Sequence, residues 1–162
     1  MNIYYTGSNK NLSSTSDKLT AEIHNSFKFS TYDGTATLFI TNGEWIILYT
    51  RHQISETEWN TISLRFPANI ENKRYEFQPG DILPPTFSEN WSVPDGSWHR
   101  PYTSKNNVGH ITFNFDLKAG TLKADFNFTI LNNEESHQAI GGIDVKGLEH
   151  ITGQRHLEKL FE

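Results

Sequence analysis

Apolar and polar positions alternate most cleanly between His110 and Ile130. Ile111, Phe113, Phe115 and Leu117 fall on one side of a first arm. Leu122, Ala124, Phe126, Phe128 and Ile130 fall on one side of a second. A period of two marks a half-buried β-strand, because successive side chains point to opposite faces. Residues directly opposite in an antiparallel pair share a face, so the odd positions of the first arm must meet the even positions of the second. Pairing Leu117 with Leu122 leaves Lys118-Ala119-Gly120-Thr121 as the loop, with Gly120 free to take a positive φ. Phe113 then faces Phe126, Ile111 faces Phe128, and Asp116 meets Lys123 on the outer side.

A second hairpin is predicted over Thr35–Thr50. Asn42-Gly43 is the preferred pair for a two-residue type I′ turn. It sets Thr41 against Glu44, Ile40 against Trp45 and Leu38 against Ile47. Phe39, Ile46 and Leu48 occupy the opposite face. With both faces apolar, this hairpin is central, or one face meets a partner or ligand. Burial in the core is the simpler reading.

Shorter stretches carry weaker patterns. Ile3, Tyr4 and Tyr5 suggest an edge strand, and Gly7 to Asp17 a polar loop. Leu19–Phe29 alternates, with Asn25 marking a bulge or a break into two strands. Tyr32-Asp33-Gly34 is a turn signal. Ser55-Glu56-Thr57-Glu58 fits a capping box that would open one helical turn through Trp59. Ile62, Leu64 and Phe66 form a strand ended by Pro67, and Tyr75 and Phe77 lie on one side of another at Lys73–Phe77. Asn132-Asn133-Glu134-Glu135 reads as a turn. A last strand spans Ala139–Leu148, where Gly141-Gly142 implies a bulge or a close backbone approach. In Thr152–Glu162, Leu157, Leu160 and Phe161 make the apolar stripe of a short helix that docks on the sheet.

The alternation is lost from Gln78 to Asn107, where five of the six prolines fall together with Phe87, Trp91, Trp98 and Tyr102. So many aromatics argue against disorder, so the segment is expected to be an ordered excursion packed over an end or side of the β structure. With about eight or nine strands joined by turns, the expected fold is a single all-β domain over residues 1–162. An antiparallel β-sandwich is the first expectation and a lipocalin-like closed barrel the alternative.

Composition narrows the function classes. The 162 residues carry a formal charge of −5, with no block of Lys or Arg, so no nucleic-acid or membrane surface is expected. Without cysteine there is no disulfide, thiolate metal site or cysteine nucleophile. The opening MNIYYTGSNK lacks the layout of a signal peptide, which gives a cytoplasmic expectation.

Motifs for chemistry are missing. The seven histidines (His24, His52, His99, His110, His137, His150 and His156) include no close metal-binding pair. No nucleophile elbow, phosphate loop or dinucleotide fingerprint occurs. The reading therefore leans away from an enzyme, with no catalytic residue, metal or cofactor assigned. The best candidates are Trp91, Asp95, Trp98, His99, Arg100 and Tyr102, where aromatic faces lie beside carboxylate, imidazole and guanidinium groups. Such a mixture stacks on the apolar face of a sugar or peptide and hydrogen-bonds at its edges. The competing reading is that the same rings plug the end of the β structure.

Gly109, Ile111, Phe113, Phe115, Asp116, Phe126 and Phe128 make a pattern that resembles the terminal hairpin of small bacterial β-sandwich proteins of unknown function. It assigns neither a family nor an activity. The expected function is a non-enzymatic binding module that recognises a carbohydrate or protein through the Pro/Trp-rich segment. Two alternatives stand beside it. One is a lipocalin-like carrier of a small apolar ligand, lined by Phe113, Phe115, Phe126 and Phe128. The other is a protein that homodimerises through the Thr35–Thr50 hairpin or a sheet edge.

Overall fold

The computed structural model describes residues 17–24, 29–133 and 135–162. The expectations for residues 1–16 and for Asn25 lie outside these. The described chain forms β1 (Lys18–His24), β2 (Phe29–Thr41), β3 (Trp45–Gln53), β4 (Glu58–Pro67), β5 (Arg74–Glu76) and β6 (Thr86–Val93). It continues as β7 (Gly96–Ser104), β8 (His110–Asp116), β9 (Thr121–Asn132), β10 (Glu135–Lys146) and β11 (Glu149–His150). A short helix α1 (Arg155–Glu158) and a 3₁₀ turn (Lys159–Phe161) complete it.

Strand neighbours run β10-β1-β2-β3-β4-β6-β7-β9, and β9 pairs back onto β10. These eight strands close into one antiparallel barrel, the alternative expectation rather than the two facing sheets of a sandwich. The long β9 accounts for the closure. One edge of it is covered by β10 along its whole length. The other edge takes β8 opposite Thr121–Asn127 and β7 opposite Ile130–Leu131. β7 and β8 thus act as one interrupted stave, and β5 lies on the far side of β8.

Both predicted hairpins form, each with its register two residues from expectation. A slide of two keeps every side chain on its face, so alternation alone cannot separate the two registers. In the β8–β9 hairpin Phe115 faces Leu122, Phe113 faces Ala124 and Ile111 faces Phe126. Leu117 stands in the loop, 38% exposed. The Asp116 carboxylate decides the outcome by accepting the Ala119 amide at 2.8 Å, while the Asp116 carbonyl accepts that of Gly120. In the β2–β3 hairpin Thr41 faces Ile46 and Ile40 faces Ile47. Asn42 sits in a longer loop, where its Oδ1 accepts the amides of Glu44 at 2.9 Å and Trp45 at 2.8 Å. Two side-chain-capped amides hold this loop where a two-residue turn was expected.

The interior is filled by the inward side chains. Phe66 on β4 lies 4.8 Å from Phe113 and 5.2 Å from Phe115, ring centre to ring centre, so it reaches β8 across the barrel. The Phe126 and Phe128 rings lie 5.6 Å apart, tilted by 51°. The outward face of the β2–β3 hairpin has its own apolar cover. Ile40 and Ile47 pack with Ile151, Leu157 and Phe161 of the C-terminal segment. That segment runs as β11 along β2, is held by the Arg65 guanidinium donating to the Phe161 carbonyl at 3.1 Å, and docks as its stripe predicts.

Three local expectations fail, each for a stated reason. Tyr32-Asp33-Gly34 is not a turn but the middle of β2, where Gly34 leaves room for the Tyr32 ring; a Cβ there would be 2.4 Å from it. Ser55–Glu58 opens no helix. The Ser55 hydroxyl accepts the Glu58 amide at 3.1 Å as a helix cap would, but it serves the β3–β4 turn, where the Ile54 amide donates to the Glu58 carbonyl. Gln78–Asn107 is no excursion, because β6 and β7 within it are two staves of the wall. Gly141-Gly142 produces no bulge, and pairing runs through it on both sides. The close approach is real: a Cβ on Gly141 would lie 1.9 Å from the Thr20 carbonyl oxygen. Asp17 is buried, its carbonyl taking the Ala36 amide and its carboxylate the Lys146 amide.

On β1, β9 and β10 the charged side chains Glu22, Lys123, Asp125 and Asp144 point outward, where a lipid-embedded barrel would be apolar. Among the described residues no helix is long and apolar enough to cross a membrane.

Candidate functional site

Up-and-down pairing puts the β3–β4, β6–β7 and β9–β10 turns at one end of the barrel. Near that end the inward positions change character. Partners directly opposite one another share a face, so register alone builds rows across β3, β4, β6 and β7. The deepest row is Thr50, Ile62, Phe87 and Tyr102. Next comes His52, Asn60, Glu89 and Arg100. The rim row is Glu58, Trp91 and Trp98. An apolar floor therefore gives way to charged and amide groups, and those to two indoles.

The polar groups are held by specific contacts. The Tyr102 hydroxyl donates to Glu89 Oε2 at 2.9 Å, and its ring lies against Phe87 at 5.6 Å. The Arg100 guanidinium stands 3.7 Å from the same carboxylate oxygen and 5.6 Å over the Trp91 ring. Burial pushes the Tyr102 hydroxyl above its ordinary pKa; the neighbouring Glu89 charge adds to the rise and Arg100 draws it back. In the same row as Glu89 and Arg100, the His52 ring meets Tyr32 edge-on at 5.4 Å. His52 Nδ1 is buried and has no hydrogen-bond partner among the described residues. On β10, His137 Nε2 is likewise buried without a hydrogen bond, with the Glu135 carboxylate 3.5 Å away. An unsatisfied buried nitrogen in a native wall calls for a partner, and a ligand or water in the barrel mouth would supply one.

The structure divides the six candidate residues. Trp91, Trp98, Arg100 and Tyr102 share the inward face, with Trp98 at the rim, 60% exposed. His99 points the other way and binds Asn90 through Nδ1 at 2.7 Å on the outer surface. Asp95 is an exposed turn residue between Val93 and Gly96. His52, Asn60 and Glu89 escaped the sequence reading. A signal existed: Pro94-Asp95-Gly96 is a turn sequence. Folding the chain about it brings Phe87, Glu89 and Trp91 against Tyr102, Arg100 and Trp98.

Phe113, Phe115, Phe126 and Phe128 are buried in the main core cluster, packed among other core side chains. Two surface grooves lie away from the mouth. One, of about 470 Å³, runs over Gly142 on the outer wall between Lys18, Lys123, Asp125 and Asp144. The other, of about 350 Å³, lies beside Asn69, Tyr75 and Asp81. Among the described residues no three His, Asp or Glu side chains are arranged to hold a metal. No protein-family model, curated protein or solved structure matches the chain.

Proposed function

We propose that the protein is a β-barrel binding protein, lipocalin-like in layout, that takes a small amphipathic ligand at the end formed by the β3–β4 and β6–β7 turns. The observation that carries this reading is the inward row His52–Asn60–Glu89–Arg100, set between the Tyr102 floor and the Trp91/Trp98 rim. Side chains at such positions in a closed barrel ordinarily pack the core or line a ligand site. These are polar, and His52 offers a buried nitrogen with no hydrogen-bond partner among the described residues. A ligand with a flat apolar part would stack on the indoles, and its polar groups would meet Arg100, Glu89 and His52. The filled phenylalanine core moves the ligand from the barrel centre to its mouth.

The test uses the variant Trp45→Phe/Trp59→Phe, so that emission comes from Trp91 and Trp98. It is titrated with aryl carboxylates and p-nitrophenyl glycosides. The reading expects one class to shift the emission saturably, and Arg100→Ala or Glu89→Gln to weaken it about tenfold with unchanged thermal unfolding. Failure of every probe to bind, or binding indifferent to both substitutions, would overturn it.

A further inference from the structure

The groove over Gly142 is a second concave surface rich in charge, and the mouth makes no use of it. Register sets two rows of outward residues across β1, β10, β9 and β8. One row is Lys18, Asp144, Lys123 and Asn114. The next is Thr20, Gly142, Asp125 and Thr112. All of them border the groove, whose volume is about 470 Å³.

Gly142 makes the hollow. Its φ is not positive, and the atom nearest to a Cβ there would be the Ala124 carbonyl oxygen at 3.3 Å. The backbone therefore does not require glycine at this position, as it does at Gly141. What the missing side chain does is leave the centre of the two rows bare. Asp125 Oδ1 leans over the gap, 3.5 Å from where that Cβ would stand. Around it the charges do not neutralise one another. Lys18 is committed to Asp33 on β2 at 3.0 Å. Lys123 stands directly opposite Asp144 and two residues from Asp125. Yet among the described residues the side chains of Lys123, Asp125 and Asp144 have no ion pair or hydrogen bond. The uncommitted charge is thus two carboxylates against one ammonium. Asp125 and Asp144 are diagonal neighbours on adjacent strands, about 7–8 Å apart.

We propose that this groove binds a diamino acid, with one ammonium on Asp125, the other on Asp144 and the carboxylate on Lys123. Charge complementarity gives the ligand two positive groups and one negative. The bare floor at Gly142 takes the carbon chain that joins them. Thr20 on one side and Thr112 and Asn114 on the other offer hydroxyl and amide partners for the remaining donors and acceptors. A metal ion is a poorer match, because Lys123 stands beside both carboxylates and no third acid or imidazole completes a ligand set among the described residues. The groove is independent of the mouth.

The test titrates the whole chain with lysine and follows its backbone amide resonances by NMR. Cadaverine, ε-aminocaproate and norleucine are run in parallel, each lacking one of the charged groups of lysine. The proposal expects saturable shifts centred on Gly142 and Asp125 that weaken with salt, and affinity about tenfold lower for each analogue. Asp125→Asn should weaken lysine binding about tenfold. Lys123→Gln should weaken lysine but not cadaverine, which has no carboxylate to lose. Glu22→Gln, on the same wall outside the groove, should change nothing. The Lys123 and Asp125 side chains have no partner to lose among the described residues, so their variants keep the fold. No saturable shift, shifts centred on the mouth, an analogue binding as tightly as lysine, binding undiminished in Asp125→Asn, or an equal loss in Glu22→Gln would each overturn the proposal.

Discussion

The hydroxyl of Tyr32 lies 2.7 Å from Oγ1 of Thr50, on neighbouring staves inside the barrel. The Thr50 hydrogen is committed to the Ile62 carbonyl at 2.8 Å, so Tyr32 donates to Thr50. Tyr32 in turn accepts the Ile62 amide at 2.9 Å. These three bonds tie β2, β3 and β4 together, and they satisfy a buried polar cluster completely. Tyr32→Phe keeps the ring but leaves the Ile62 N–H without an acceptor. The expected cost is about 1–3 kcal/mol, measured by urea unfolding at neutral pH.

The same hydroxyl makes the barrel sensitive to alkali. Burial raises its pKa from 10.0 to about 12, outweighing the hydrogen bonds with Thr50 and Ile62 that lower it. The folded chain therefore holds this proton more tightly than the unfolded chain. Its contribution is complete below pH 10 and is lost as pH rises towards about 12. The loss is on the order of 2 kcal/mol across that window. Urea midpoints at stepped pH should fall less steeply in Tyr32→Phe than in the parent; equal slopes would refute the assignment.

Adjacent glycines should respond in opposite ways. A Cβ at Gly141 would meet the Thr20 carbonyl oxygen at 1.9 Å and Ala21 Cα at 2.7 Å, both backbone atoms that cannot turn aside. At Gly142 the nearest atom is the Ala124 carbonyl oxygen at 3.3 Å. Gly141→Ala is expected to cost roughly 3 kcal/mol or to prevent folding, and Gly142→Ala less than about 1 kcal/mol. Thermal unfolding of the two variants side by side distinguishes them.

The C-terminal cover can be weighed through Leu157, which is buried against Ile40, Ile47 and Ile151. Leu157→Ala should cost about 2–4 kcal/mol. Hydrogen exchange should then rise first in β11 and in the outer edge of β2, while the amides around Tyr32 stay protected.

Periodicity made the all-β class, both main hairpins, the inward phenylalanines and the docking stripe of Leu157, Leu160 and Phe161 legible in the sequence. It could not fix register, because a slide of two preserves every face, and the deciding atoms were the side-chain oxygens of Asp116 and Asn42. It also missed β6 and β7. Their inward positions hold Glu89, Trp91, Arg100 and Trp98 where a core strand would hold aliphatic residues, so the apolar alternation vanished where the candidate mouth lies. Four of the six candidate residues share that mouth. His99 does not, because a neighbour in sequence on a strand is on the opposite face. His52 and Asn60 come from other staves, and the β3–β4 and β4–β6 pairings set them in one row with Glu89.

Closure has a cost in time. The ring is completed where β1 meets β10, with Lys18 opposite Asp144, nearly the whole described chain apart. The hairpins β2–β3, β6–β7 and β8–β9 need only short loops to form. The last seam must wait for almost every other stave, so loop closure over long separations sets the rate. The chain should therefore refold slowly for its size. Until β1 arrives, β10 and β2 present unpaired edges that a second unfinished copy could take, so refolding yield should fall as protein concentration rises.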